Sequence, residues 1–229
     1  GPDFGTSSEK DIDIDGDTAV IGNAAGYVWV YQLNNQDLWV ETQRIESDDL
    51  GNHFGNEVEL ENDTLLIGAN YDDTLAINGG AAYNYSRTPG GQWVLTQKFF
   101  QSDPLPDGVF GAHISLDGDR ALFGSPNGPG DRGCAYIFER NLNGEWIQRQ
   151  RLEADEPSIG DTFGKSVALR GNVALVGSPS DNDVFNNSGS AFVFEPNQQG
   201  IWSTTQKLTS DTPVRGARFG TRVGFFEDQ

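Results

Sequence analysis

The chain has 229 residues, 36% of them hydrophobic, with 29 glycines, 10 prolines and no methionine. That is too apolar for a disordered chain and long enough to bury a sizeable core. Fifteen Lys and Arg stand against 34 Asp and Glu, a formal charge of −19, so nucleic acid and anionic membrane surfaces are excluded as expected partners. Cys134 is the single cysteine, which rules out an intramolecular disulfide or a cysteine-based zinc cluster, and no apolar run reaches the length of a membrane span.

In chain order, the first element is Asp11–Val20, DIDIDGDTAV. Its alternation of Asp and Ile predicts a half-buried strand, a tight turn at Asp15-Gly16 and a second strand ending near Gly22. AGYVWVYQ and DLWVETQRI follow as third and fourth strands. The unit then restarts at Phe54-Gly55, Phe110-Gly111, Phe163-Gly164 and Phe219-Gly220, at intervals of 56, 53 and 56 residues. The first three restarts read FGNEVELENDTLLIGAN, FGAHISLDGDRALFGSP and FGKSVALRGNVALVGSP. Asn62-Asp63, Asp117-Gly118 and Arg170-Gly171 supply the turns, and Trp39, Trp93, Trp146 and Trp202 open the fourth strands. The register aligns Ile12 and Ile14 with Val58/Leu60, Ile114/Leu116 and Val167/Leu169 on the apolar side, and turns Asp11 and Asp13 outward. Phe4-Gly5 falls four residues too early for this register and reads as a displaced copy or an upstream remnant.

A repeat of this length holding four antiparallel strands and no helical period predicts an all-β fold, a β-propeller of four-stranded blades. Blades are expected at about 8–46, 54–100, 110–153 and 163–209, with 219–229 as an extra C-terminal first strand. The tryptophans, being in phase, are expected to pack between neighbouring blades.

FGKSVALRGNVALVGSP and its copies resemble the FG-GAP repeat, the blade of integrin-α-type β-propellers and of many bacterial secreted or surface proteins. Gly68-Ala69-Asn70, Gly124-Ser125-Pro126 and Gly177-Ser178-Pro179 stand where the repeat has Gly-Ala-Pro. The resemblance implies a non-catalytic binding or adhesion module, extracellular or on the cell surface, that meets a protein or glycan partner through the loops of one face. Because such propellers usually have more blades, the chain is expected to be part of a longer array. A small four-bladed ring is one alternative, and a homo-oligomer paired through open edge strands is another. Calcium-binding members carry a loop that opens like Asp11, Asp13, Asp15, Gly16 and Asp17, yet Ala19 stands where a further carboxylate is expected. A hairpin without cofactor is therefore preferred there, with calcium as the alternative.

The loops joining second to third strands carry residues that the architecture does not demand: Tyr71, Asp72, Asp73, Asp181, Asn182, Asp183 and Phe185. Carboxylates beside aromatics on long loops suit a saccharide, peptide or cation, so these are the ligand-binding candidates. Asp48, Asp103, Asp155 and Asp211 recur in every copy and are expected to cap turns. Cys134 reads as a buried small residue. His53 and His113 are not equivalent positions, and no nucleophile elbow or His-Glu metal motif appears. The competing readings are a lectin or glycoside-processing enzyme with its site in these loops, and a purely structural spacer.

Overall fold

The computed structural model describes residues 10–23, 25–48 and 51–226. Phe4-Gly5 lies outside these residues. Four antiparallel sheets follow one another along the chain, each of four strands in sequential order. The first holds β1 (Lys10–Asp15), β2 (Thr18–Asn23), β3 (Tyr27–Leu33) and β4 (Trp39–Glu46); the second β5 (Phe54–Glu61), β6 (Thr64–Ala69), β7 (Ala81–Arg87) and β8 (Trp93–Phe99). The third holds β9 (His113–Asp117), β10 (Arg120–Ser125), β11 (Cys134–Arg140) and β12 (Trp146–Leu152); the fourth β13 (Ser166–Arg170), β14 (Val173–Ser178), β15 (Ser190–Pro196) and β16 (Trp202–Leu208). Among the described residues the only helix is one irregular turn at Gly128–Asp131. The all-β propeller-type architecture is thus as the periodicity predicted.

The inner hairpins are closed by two-residue turns whose first residue takes a left-handed backbone: Gly16, Asn62, Gly118 and Gly171, all at φ between 53° and 60°. Glycine and asparagine tolerate that region, which explains their recurrence. In three sheets the turn sits one residue later than the expected Asp-Gly or Arg-Gly dipeptide. Each outer strand pair carries a bulge at the same place, between Val30/Tyr31, Asn84/Tyr85, Ile137/Phe138 and Val193/Phe194.

No sheet buries its apolar faces alone. Three clusters of buried side chains fill the three gaps between consecutive sheets. Val20, Val28, Val30 and Ile45 of the first sheet meet Val58, Leu60, Leu65, Ile67 and Trp93 of the second. Leu66, Ala82 and Phe99 meet Ile114, Phe123, Phe138 and Trp146. Leu122, Ile137 and Leu152 meet Val167, Val176, Phe194 and Trp202. Residues on one strand therefore serve two different interfaces, since successive side chains point to opposite sides.

The Phe-Gly restart is the staple of these interfaces. Phe54, Phe110 and Phe163 are fully buried. The glycine after each lies on the glycine near the end of the preceding sheet's second strand, Gly55 on Gly22, Gly111 on Gly68, Gly164 on Gly124 and Gly220 on Gly177. A Cβ on Gly68 would run into the Gly111 carbonyl oxygen, and one on Gly124 into that of Gly164. Two backbones approach so closely that only a residue without a side chain fits.

A second clasp repeats on the outer strands. Gln43 donates to the Trp93 carbonyl and accepts from the Trp93 N–H, both at 2.8 Å. Gln97 does the same for Trp146 and Gln150 for Trp202, at 2.7 to 2.9 Å. Trp93, Trp146 and Trp202 are buried between neighbouring sheets, as expected from their phase.

The sheets do not close into a ring. The first strands β1, β5, β9 and β13 lie side by side, and Ile12 and Ile14, placed by register on the apolar side, stand more than half exposed. Residues 219–229 were expected as a further first strand; those described, 219–226, lie along β13 without strand pairing beyond a bridge from Phe219 to Gly189. Val223 N–H donates to Ser166 Oγ at 3.0 Å, and Arg170 donates to the Phe226 carbonyl. A segment with no second strand beside it has no ladder to join.

Candidate functional site

The loops that join second to third strands and those that lead to the next sheet emerge at the same end of the molecule and are bonded together. Tyr71 N–H donates to the Asn52 carbonyl, Asp107 to Ile77, Val109 to Asn78, Gly216 to Asn186 and Arg218 to Asn187. Long loops are thereby held in register with the sheets rather than left to solvent.

The loop candidates divide into two groups. Asp72 and Asp181 turn inward and are buried. Asp72 accepts from the Tyr83 hydroxyl at 3.0 Å, Lys98 Nζ at 2.7 Å and its own loop at Thr74 N. Asp181 repeats this two sheets later, accepting from Ser190 Oγ at 2.5 Å and from Lys207 at 2.7 Å. Burial raises each carboxyl's pKa, but the lysine and hydroxyl donors outweigh it and the net shift is downward. Both therefore brace their own loops. Asp73 and Asn182 accept from Asn78 and Asn187 N–H across the loops, and Asp183 pairs with Lys207. Tyr71, stacked on His53 at 4.2 Å between ring centroids, and Phe185 remain exposed. Sheets two and four carry these loops with the third sheet between them, so they do not form one site.

The acidic strand has a different role from the outward one expected. Asp11, Asp13 and Asp15 point at the next sheet, where their carboxylates accept from the N–H groups of Val58 at 2.9 Å, Leu60 at 2.7 Å and Asn62 at 2.5 Å. β5 is the inner edge strand of its sheet, so these amides have no ladder partner, and side-chain acceptors replace one. The device recurs: Glu61 takes Gly118 N–H, and Ser115 and Asp117 take Leu169 and Gly171. Asp17 lies in the turn, its carbonyl accepting from Leu33 N–H and the Gln32 amide. Among the described residues no group of three or more His, Cys, Asp or Glu is arranged to hold a metal ion.

Two of the recurring aspartates reach across to the next sheet. Asp103 reaches the next sheet, accepting from the Tyr136 hydroxyl at 3.0 Å and pairing with Arg151; Asp155 accepts from Thr204 Oγ1 at 3.1 Å. Cys134 is fully buried, its thiol pushed up to about 12 by desolvation, as suits an inert small residue.

Where the first strands begin, on the loop end, a cavity of about 440 Å³ opens on the inner side of the arc. Asp11, Glu57, His113 and Arg222 line it, with Lys165 beside them and Tyr71, Asn70 and Asn127 from the loops. Asp11, Glu57, His113, Ser166 and Arg222 are one position repeated, the third residue after each phenylalanine in the last four. His113 touches two neighbours: Nε2 lies 2.7 Å from Arg222 Nη1 and Nδ1 lies 3.2 Å from Glu57 Oε1. A guanidinium can only donate, so Nε2 is the acceptor nitrogen and Nδ1 carries the proton, which is buried without a hydrogen-bond partner. Burial, reinforced by Arg222, holds the imidazole down at about 4. Burial and then Asp11 push Glu57 up to about 8, and burial with Asp13 pushes Glu59 up to about 9. The Glu57 and His113 shifts both run toward the uncharged form. Asp11, whose carboxylate accepts from Val58 N–H, Lys165 and Arg222 also line the cavity. Asn70 Oδ1 is buried without a hydrogen-bond partner.

Of the loop candidates only Tyr71 reaches this cavity. Glu57, His113, Lys165 and Arg222 were not singled out from sequence as site residues, although polar residues recurring three positions after the phenylalanine were visible. Their common phase looked like repeat architecture, and the convergence on one cavity comes from the curvature of the arc.

Residues 39–85 and 146–194 match the family model described as FG-GAP repeat. Each match starts on an outermost tryptophan strand and runs through the next three strands or nearly so, so the family's unit straddles two sheets. No curated protein matches the chain. The two matched segments are similar to the FG-GAP repeat, and glycine docked on glycine recurs at the same point of all four repeats.

Proposed function

We propose that the chain is a non-catalytic binding module that works outside the cell, contacting a glycan or protein partner with the loop end of its arc at the cavity beside Tyr71. FG-GAP repeats point to a propeller-type binding or adhesion module. The observation that carries the reading is the cavity itself: asparagine and tyrosine walls, an unpartnered buried Asn70 oxygen, and two cations in a chain of charge −19. Convergent polar groups with one aromatic wall suit a hydroxylated or carboxylate-bearing group. The geometry disfavours a histidine general base. A histidine acting as general base needs a free Nε2 beside a nucleophile, and here that nitrogen faces Arg222.

Labelled protein on a glycan array, with Tyr71→Ala and Arg222→Ala in parallel, tests this. Binding that falls about tenfold in both variants supports the module, since each removes one wall or charge worth ~1–2 kcal/mol. Substrate turnover lost in Glu57→Gln would replace it with an enzyme, and array and pull-down signals indifferent to both variants would leave a spacer.

A further inference from the structure

All three interfaces between sheets follow one rule, and among the described residues the first and last sheets each leave half of it unfilled. Toward the preceding sheet, a sheet presents its fourth-strand tryptophan and the two apolar residues of its first strand. Toward the following sheet, it presents the glutamine that clasps the next tryptophan. At one end Trp39 is 43% exposed with Ile12 and Ile14 bare beside it, where Trp93, Val58 and Leu60 are buried. At the other end Gln206, in phase with Gln43, Gln97 and Gln150, is exposed, and its side-chain amide makes no hydrogen bond among the described residues. Leu175, Val193 and Leu208 around it are only half-buried, whereas Leu122, Ile137 and Leu152 at the same positions one sheet earlier are covered.

We propose that a second copy of this chain docks head to tail, seating its Trp39 sheet on the Gln206 sheet of the first. The occupant follows from continuity with the existing interfaces. The plug and the socket are on one chain, and the same kind of joint is made three times within it. The contact is face to face, between sheet surfaces, and not strand pairing at edges. It repeats the Gln–Trp clasp and covers Ile12 and Ile14. Residues 222–226 now hold the place on β13 that the incoming β1 takes, with Val223 N–H on Ser166 Oγ. Ile12 stands at the same register position as Val223, so its N–H replaces that bond. Because the two faces differ, the joint is heterologous and builds a ring or an open chain. Copies of charge −19 repel each other, so salt strengthens it.

Sedimentation velocity on the full chain tests this, from about 5 to about 200 μM in about 0.5 M NaCl, where the Debye length is about 4 Å. The expected result is a mass that rises above one chain with concentration. Trp39→Ala and Gln206→Lys, both at exposed positions, each lower the association constant about tenfold or more. An equimolar mixture of the two variants recovers a pair, because one intact plug meets one intact socket. A single-chain mass throughout, variants that associate like the parent, or a mixture that fails to recover overturns the proposal.

Discussion

Trp146 and Trp39 occupy the same place in their repeats, open the same kind of strand and face the same way, yet one is 3% exposed and the other 43%. The difference is the sheet in front of them. Trp146 lies under the second sheet and is clasped by Gln97, while no sheet of the described residues covers Trp39. Burial in this molecule is a property of neighbouring repeats, with no core inside any one of them, as expected for a fold whose units cannot hide their apolar faces alone.

The widest separation should come from truncating the two tryptophans. Trp146→Ala is expected to cost about 3–5 kcal/mol in urea unfolding, the range for a buried tryptophan, and Trp39→Ala at dilute concentration less than about 1 kcal/mol. Equal losses would mean that the first sheet is covered in solution. Within one loop, Asp72→Ala should cost about 2 kcal/mol by removing a buried acceptor shared by Lys98, the Tyr83 hydroxyl and Thr74 N–H, while neighbouring Asp73→Ala, with one amide to lose, costs less. The ladder from β1 to β5 gives a smaller effect. Asp13→Ala leaves Leu60 N–H unpaired and should cost about 1 kcal/mol, whereas Asp13→Asn keeps an acceptor and recovers most of it. Were charge or a bound cation the point of Asp13, the asparagine would fare no better than the alanine.

A separate effect is one of pH. The Glu59 carboxyl, raised by burial and then by Asp13 to about 9 from 4.5, keeps its proton in the folded chain where the unfolded chain has lost it. The folded state then binds the extra proton, so this group lowers stability as pH rises from 4.5 toward about 9. Glu59→Gln removes that slope, and its melting temperature should fall less than the parent's between neutral and alkaline pH. A parallel decline in both proteins would refute the assignment.

Much of the fold was legible because it is periodic. Alternating apolar residues, positive-φ turn residues and tryptophans at a fixed phase report local geometry, and they placed the strands and turns within a residue or so. What the sequence hid is what each polar side chain meets across a gap. DIDID reads as a calcium loop or as a solvated strand face, because nothing local says that a neighbouring edge strand has N–H groups to fill. Asp72 beside Asp73 looks like a pair of ligands, and only the fold sends one inward to Lys98. His113, Glu57 and Arg222 are more than fifty residues apart in sequence, and they meet because the arc curves.

The central claim is that consecutive sheets stack face to face through glycine set on glycine, and Gly124→Ala probes it most directly. Gly124 sits in a strand with an ordinary backbone, where alanine on its own would be neutral or slightly favourable. Its only obstacle is the carbonyl of Gly164 from the next sheet. Chemical denaturation should show Gly124→Ala losing at least about 2 kcal/mol, the cost of forcing a methyl group into a packed contact. Stability equal to or above the parent's would contradict the stacking.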